Sequence, residues 1–274
     1  PLRPLAAIGS HRAAAFDLSA ACSGFAYAYA VAHGFLTAGL GQRALVIGAE
    51  SLSRIVDWSD RSTCVLFGDG AGAIVLDALD LHDDQNISTR PGTLSFELSA
   101  DPSGAFALWI PGGTGDGADP LIKMDGAKTY VYATRTMAAV ATAAIERAGL
   151  TVPQVDLVIP HQANLRIIEH VSKAIDYPME KIFVNLDRYG NTSAASIPIA
   201  LSEAVAAGRL KPGDVFCTVA FGDDGGVSVE LKHGTSSVGA VAVSVARRRA
   251  LRLAAPSAPR EPRPPSLPPR GVEP

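Results

Sequence analysis

The sequence predicts an α/β layered fold. Two observations carry this reading: short apolar runs of strand length alternate with longer segments of helical period, and the alternation occurs twice along the chain. With 274 residues, 47% of them hydrophobic, there is enough apolar surface for a sizeable core. In chain order, "AAAFDLS" (13–19) is short, apolar and alternating, and reads as a buried strand. Phe25, Tyr29 and Phe35, with alanines between them, suit a helix that stops near Gly39 and Gly41. "RALVIGAES" (43–51) is a second buried strand. "STCVLFGDGAGAIVLDAL" (62–79) reads as two strands around a turn at Gly68-Asp69-Gly70.

Composition then shifts towards Gly, Pro and Asp over residues 80–120, with strand-like "TLSFELSA" and "FALWI" between loops, which places a boundary near residue 90. The second set follows. Residues 125–150 have the helical period and end at Gly149; "VDLVIP" is a strand, "ANLRIIEHVSKAI" a helix and "KIFVNL" a strand. "SAASIPIALSEAVAAG" is helical to Gly208, and "DVFCTVAF" and "GVSVEL" close the set as strands. The organisation predicted is a first half (1–90), a second half (91–232) and a tail (233–274).

The tail carries seven arginines, two glutamates and eight of the 19 prolines, so a formal charge of −3 conceals an acidic body with a basic extension. Proline lacks a donor and fixes φ, so such a stretch forms no packed element and reads as a disordered or polyproline-like extension, solvated, in the absence of aromatic residues, rather than bound to an acidic partner. No stretch has the length of a membrane span or the layout of a secretory signal, and the chain reads as cytoplasmic. Three widely spaced cysteines, Cys22, Cys64 and Cys217, match neither a disulfide framework nor a metal motif, and read as reduced thiols.

A lone cysteine among alanines is ordinarily a packing residue. Cys22 differs because it stands where a strand is predicted to turn into a helix, and there the unpaired N–H groups of the first turn stabilise a thiolate. Two residues of the second half share that strand-end setting: His161 directly after "VDLVIP", and Asn191 in "RYGNTSAAS". Ligands of α/β sheets bind outside the carboxyl ends of strands, so Cys22, His161 and Asn191 could converge on one pocket. Papain-like hydrolases use the same order of residues, but the C-G-[SA]-C-[WY] signature around their cysteine is missing.

"DLSAACSGF", "DRSTCVLFGDGAGAIVL", "PHQANLRII" and "GNTSAASIP" together resemble the signature blocks of β-ketoacyl-[acyl-carrier-protein] synthase III, a thiolase-fold condensing enzyme. The resemblance runs over roughly residues 12 to 222. It implies helices and mixed sheets in two pseudo-symmetric halves, the first of them incomplete. It implies Cys22 as the nucleophile taking a short acyl group from acyl-CoA, with His161 and Asn191 supporting decarboxylation of malonyl-carrier-protein. It further implies an oxyanion hole from the backbone N–H of Cys22 and one at Asp223, and no cofactor. Arg61 and Arg166 match coenzyme A and carrier-protein contacts. Lys173, seven residues beyond Arg166, either extends that patch or is a solvated charge. Phe67 and Met124 match an acyl channel, or serve as core. Acyl carrier protein and acyl-CoA are the implied partners of a homodimer that binds neither nucleic acid nor membrane.

Two departures from the family accompany this. Only "PLRPLAAIGSHR" precedes the nucleophile region where the family has a βα portion, and the final block reads "FGDDGGVSVELKHG" before the tail. The expectation is an N-terminally truncated chain with an exposed sheet edge and an atypical C-terminal tail, such as a truncated start and a shifted reading frame would produce. A carboxylate at Asp223 would also oppose developing negative charge at the hole. Two alternatives stay open at this point: a non-catalytic fragment or interaction module of the same fold, and a polyketide- or quinolone-type condensing enzyme.

Overall fold

A computed structural model describes residues 2–78, 92–101, 104, 106–111 and 121–222, and the backbone of 225–232. A short helix, α1 (Leu2–Ala7), leads into extended chain. Residues 13–19 are not a strand: they join no ladder, and Phe16 is 57% exposed with its ring 5.9 Å from that of Phe35. An alternating pattern makes a strand only where a neighbouring backbone takes up its N–H and C=O groups. The chain then tightens into a 3-10 turn, Ala21–Ser23, that runs into α2 (Gly24–Thr37). Gly39, at φ +73°, ends the helix where a side chain would be strained.

β1 (Arg43–Ser51) and β2 (Asp69–Asp77) pair antiparallel with Gly48 opposite Gly72. The expected two strands around Gly68-Asp69-Gly70 are one, because Asp69 and Gly70 open β2 instead of turning. The run before them is coiled into turns by Asp60, whose carboxylate accepts from the Ser62 N–H (2.9 Å), the Ser62 hydroxyl (2.6 Å) and the Thr63 hydroxyl (2.8 Å). Close approach is what Gly48 and Gly72 supply. A Cβ on Gly48 would lie 2.4 Å from the Ala194 carbonyl oxygen, and one on Gly72 would lie 2.8 Å from the Ile199 nitrogen.

β3 (Gly92–Leu98) follows, then the two-residue strands β4 (Leu108–Trp109) and β5 (Lys123–Met124), which pair with each other. α3 (Gly126–Arg147) is capped by Asp125, which accepts from the Lys128 N–H at 3.1 Å. β6 (Leu157–Pro160) leads to α4 (Leu165–Ala174), capped by Asn164 accepting from the Arg166 N–H at 2.9 Å. The short α5 (Leu186–Tyr189), α6 (Ser196–Ala206), β7 (Val215–Gly222) and β8 (Gly225–Lys232) follow among the described residues. The four-stranded sheet has the order β3-β8-β7-β6, with β6 and β7 parallel and the other pairs antiparallel.

"KIFVNL" is not a strand but a single bridge, Val158 to Ile182. A side chain replaces the ladder there. Gln162 donates from Nε2 to the Phe183 carbonyl (3.1 Å) and accepts the Asn185 N–H at Oε1 (3.0 Å), satisfying backbone that a neighbouring strand would otherwise have to meet.

One core cluster joins Phe25 and Tyr29 of α2 to Ile74 and Leu76 of β2, Leu201 of α6 and Phe216 of β7. Burial of α2 and of the β1–β2 pair therefore depends on α6, and the same helix carries Ser196 in its first turn. A second cluster packs Met137 and Val140 of α3 against Ile168 and Val171 of α4 and Cys217 of β7. The boundary placed near residue 90 and the whole of the tail lie outside the described residues.

Candidate active site

Cys22 sits on the turn ahead of α2 and is 6% exposed. Its neighbour Ala21 has φ +42°, a conformation that L-residues rarely adopt and that surrounding contacts must hold in place. β7 supplies them. At Gly222 a Cβ would lie 2.9 Å from the Ser23 nitrogen, 3.0 Å from the Ala20 carbonyl oxygen and 3.1 Å from the Cys22 nitrogen, so the strand end presses backbone to backbone on the turn. Asp223, named from the resemblance for the second oxyanion donor, lies outside the described residues.

His161 follows β6 directly, and its backbone N–H donates to the Val219 carbonyl at 2.7 Å, an extra rung from the parallel neighbour β7. Its ring is buried, with Nδ1 2.6 Å from the Ser196 hydroxyl. Burial pushes the imidazole pKa down from 6.5 to about 4, so the ring is neutral near pH 7. Asn191 is fixed by its backbone on both sides, its N–H donating to the Leu66 carbonyl (2.9 Å) and its carbonyl accepting from Gly68 (2.9 Å). Its side-chain Oδ1 accepts the Ser193 N–H at 2.8 Å, which assigns the oxygen and leaves the NH2 end to donate.

Cys22, His161 and Asn191 line one cavity of about 240 Å³. Phe67 and Met124 line it too, beside Tyr130, Met137 and Phe221. The sequence did not single out Tyr130 or Met137. Their signal was the α3 period: Gly126, Thr129, Tyr130, Ala133 and Met137 recur at three- and four-residue intervals and all face this space. Ser196 was also missed, and nothing in the pattern of a helix start distinguishes it.

A second recess of about 390 Å³ shares Leu66, Ala163 and Asn164 with the first and contains Arg166. Arg61 is exposed and neighbours Ser62, which lines the main cavity; Lys173 is exposed in the last turn of α4. The structure therefore brings five of the named residues into one cavity, sets Arg166 in the adjoining recess, and leaves Arg61 and Lys173 on the surface. Among the described residues no group of three or more His, Cys, Asp or Glu is arranged to hold a metal ion, and no helix is long and apolar enough to cross a membrane.

Comparison with known proteins bears on these features. Residues 16–101 match the family "3-Oxoacyl-[acyl-carrier-protein (ACP)] synthase III", and residues 145–230 match its C-terminal counterpart. The chain is 48% identical over 218 residues to β-ketoacyl-[acyl-carrier-protein] synthase III of Paracoccus denitrificans, covering 79% of this chain and 67% of the relative. The crystal structure of the Thermus thermophilus synthase III superposes with a TM-score of 0.78 at 42% identity, over 86% of this chain and 72% of that one. The priming β-ketosynthase of the R1128 polyketide pathway gives 0.75 at 31% identity, over 85% and 70%. The chain spans about 66% of the length of the first curated relatives it matches.

Proposed function

The chain belongs to the 3-oxoacyl-[acyl-carrier-protein] synthase III family, with its thiolase-like α/β fold, and from that premise we propose that it condenses a short acyl-CoA with malonyl-acyl-carrier-protein, the step that initiates fatty acid synthesis. The observation that carries this is the single cavity shared by Cys22, His161 and Asn191.

In this reading the Cys22 sulfur attacks the acyl-CoA thioester. The new S–acyl bond forms as the acyl–coenzyme A bond breaks, and coenzyme A departs as a thiol with the proton the cysteine loses. Malonyl-carrier-protein then loses CO2. The electron pair of the broken C–C bond passes to the thioester oxygen as an enolate, and that charge needs donors. His161 is buried and neutral, so it answers as a donor rather than a cation, and Asn191 has its NH2 end left for the same oxygen. The enolate carbon attacks the acyl-cysteine carbonyl, and the sulfur leaves as a thiolate that takes from solvent the proton it gave up to coenzyme A. The backbone N–H of Cys22 and one at Asp223 serve the acyl-cysteine oxygen; the pressure of Gly222 on the Cys22 turn supports that site for the hole.

Phe67 and Met124 border the acyl channel, and Arg61, Arg166 and Lys173 meet the coenzyme A or the acidic carrier. The working form is a cytoplasmic homodimer with halves 1–90 and 91–232. The test is acyl transfer from radiolabelled acetyl-CoA to a monodisperse sample, with Cys22→Ala as control. In His161→Ala, label is expected to stay on Cys22 while CO2 release from malonyl-carrier-protein falls roughly 10²–10³-fold, the usual effect of losing one such donor. No label on the parent protein sinks the proposal in favour of a non-catalytic module, and equal loss of both steps sinks the division of roles.

A further inference from the structure

We propose that Ser196 is a positioning residue that fixes which imidazole nitrogen of His161 carries the proton, its hydroxyl donating to Nδ1 so that the N–H sits on Nε2. The inference rests on the role of His161 given above, but its geometry is independent of it. Ser196 is the first residue of α6 and is 2% exposed. Among the described residues its Oγ meets two groups: Nδ1 of His161 at 2.6 Å and the backbone N–H of Gln162 at 3.3 Å. The Gln162 amide can only donate, so it occupies a lone pair of the hydroxyl oxygen. Were Nδ1 also protonated, the hydroxyl would accept twice and its own hydrogen would be buried with no acceptor. With Nδ1 as acceptor every group is satisfied, and the cost of an unmade buried hydrogen bond favours that tautomer about tenfold or more.

The consequence reaches the reacting oxygen. With the proton on Nε2, His161 and the Asn191 NH2 present two donors to the cavity; the other tautomer would offer the enolate a lone pair and repel it. Nothing about His161 alone selects between these forms. A residue 35 positions away in sequence makes the choice.

The experiment is imidazole ¹⁵N NMR of histidine-labelled parent protein near pH 7, with the His161 signals assigned by their loss in His161→Ala. The Nε2–H pattern is expected for the parent, and a mixed or Nδ1–H pattern for Ser196→Ala. In activity, Ser196→Ala is expected to lose about tenfold in CO2 release from malonyl-carrier-protein with Cys22 acylation unchanged, and Ser196→Thr, which keeps the hydroxyl, to recover it. An Nδ1–H tautomer in the parent overturns the proposal, and that measurement needs no Ser196 variant to fold. An unchanged tautomer in Ser196→Ala overturns it as well. A parent with the Nε2–H pattern that depends on Ser196, but with no condensing activity, supports the role of Ser196 and defeats only the catalytic reading.

Discussion

Acidification is expected to destabilise this fold through His161, by an amount set by how deeply the ring is buried. The imidazole titrates near 6.5 when solvated and near 4 in the fold, because burial penalises its charged form and the Ser196 hydroxyl brings no compensating charge. Between those two values the unfolded chain holds a proton that the native protein rejects, so stability is complete above pH 6.5 and is lost as pH falls towards 4. At about 1.4 kcal/mol per tenfold the gap is worth about 3 kcal/mol, a large share of the ~5–15 kcal/mol that holds a typical domain. Urea unfolding of the parent and of His161→Gln between pH 4 and pH 7 isolates this contribution. Carboxylates and the half-buried His33, whose pKa burial also lowers, titrate in both proteins and cancel in the difference. The parent-minus-variant stability should fall by about 3 kcal/mol from pH 7 to pH 4. A difference that stays level across that range refutes the reasoning and would mean that the ring is solvated.

Gly222→Ala forces a Cβ into the backbone of the nucleophile turn, and neither side can yield like a flexible side chain. It should cost about 1–3 kcal/mol and abolish labelling of Cys22 by acyl-CoA, both measurable on one preparation by thermal melting and autoradiography. Two further glycines should respond with opposite signs. Gly34→Ala in α2 meets nothing within 4 Å and should gain up to about 1 kcal/mol from helix propensity. Gly48→Ala, 2.4 Å from the Ala194 carbonyl oxygen, should lose about 1–3 kcal/mol. Urea midpoints compared under one condition read both; a stable Gly48→Ala would show that β1 does not lie so close to the residue 193–195 turn.

The elements that could be read from the sequence are those whose pattern reflects their own burial. α3 and α4 have apolar periods matched to a single buried face, and β6 and β7 are apolar at almost every position because both their faces are covered. Misread segments share a cause: the partners of their backbone groups do not form a continuous strand ladder. Asp60 coils 62–66, Gln162 stands in for a ladder at 183–185, and residues 13–19 join no ladder among the described residues. Periodicity is silent about such partners, since it records which side chains are apolar and not who takes the backbone hydrogen bonds.

What the sequence by itself determined was the chemical inventory: a cysteine before a helix, a histidine at a strand end and an asparagine in a Gly-Asn turn, in blocks specific enough to name a family. What only the tertiary structure decided was the state and aim of those groups. Cys22 is held by backbone pressure from Gly222, the His161 ring is kept neutral by burial, and its Nδ1 is engaged by Ser196, which the sequence never marked. The physical reason is that solvation and hydrogen-bond geometry belong to the space around a side chain, and that space is assembled from residues far apart along the chain.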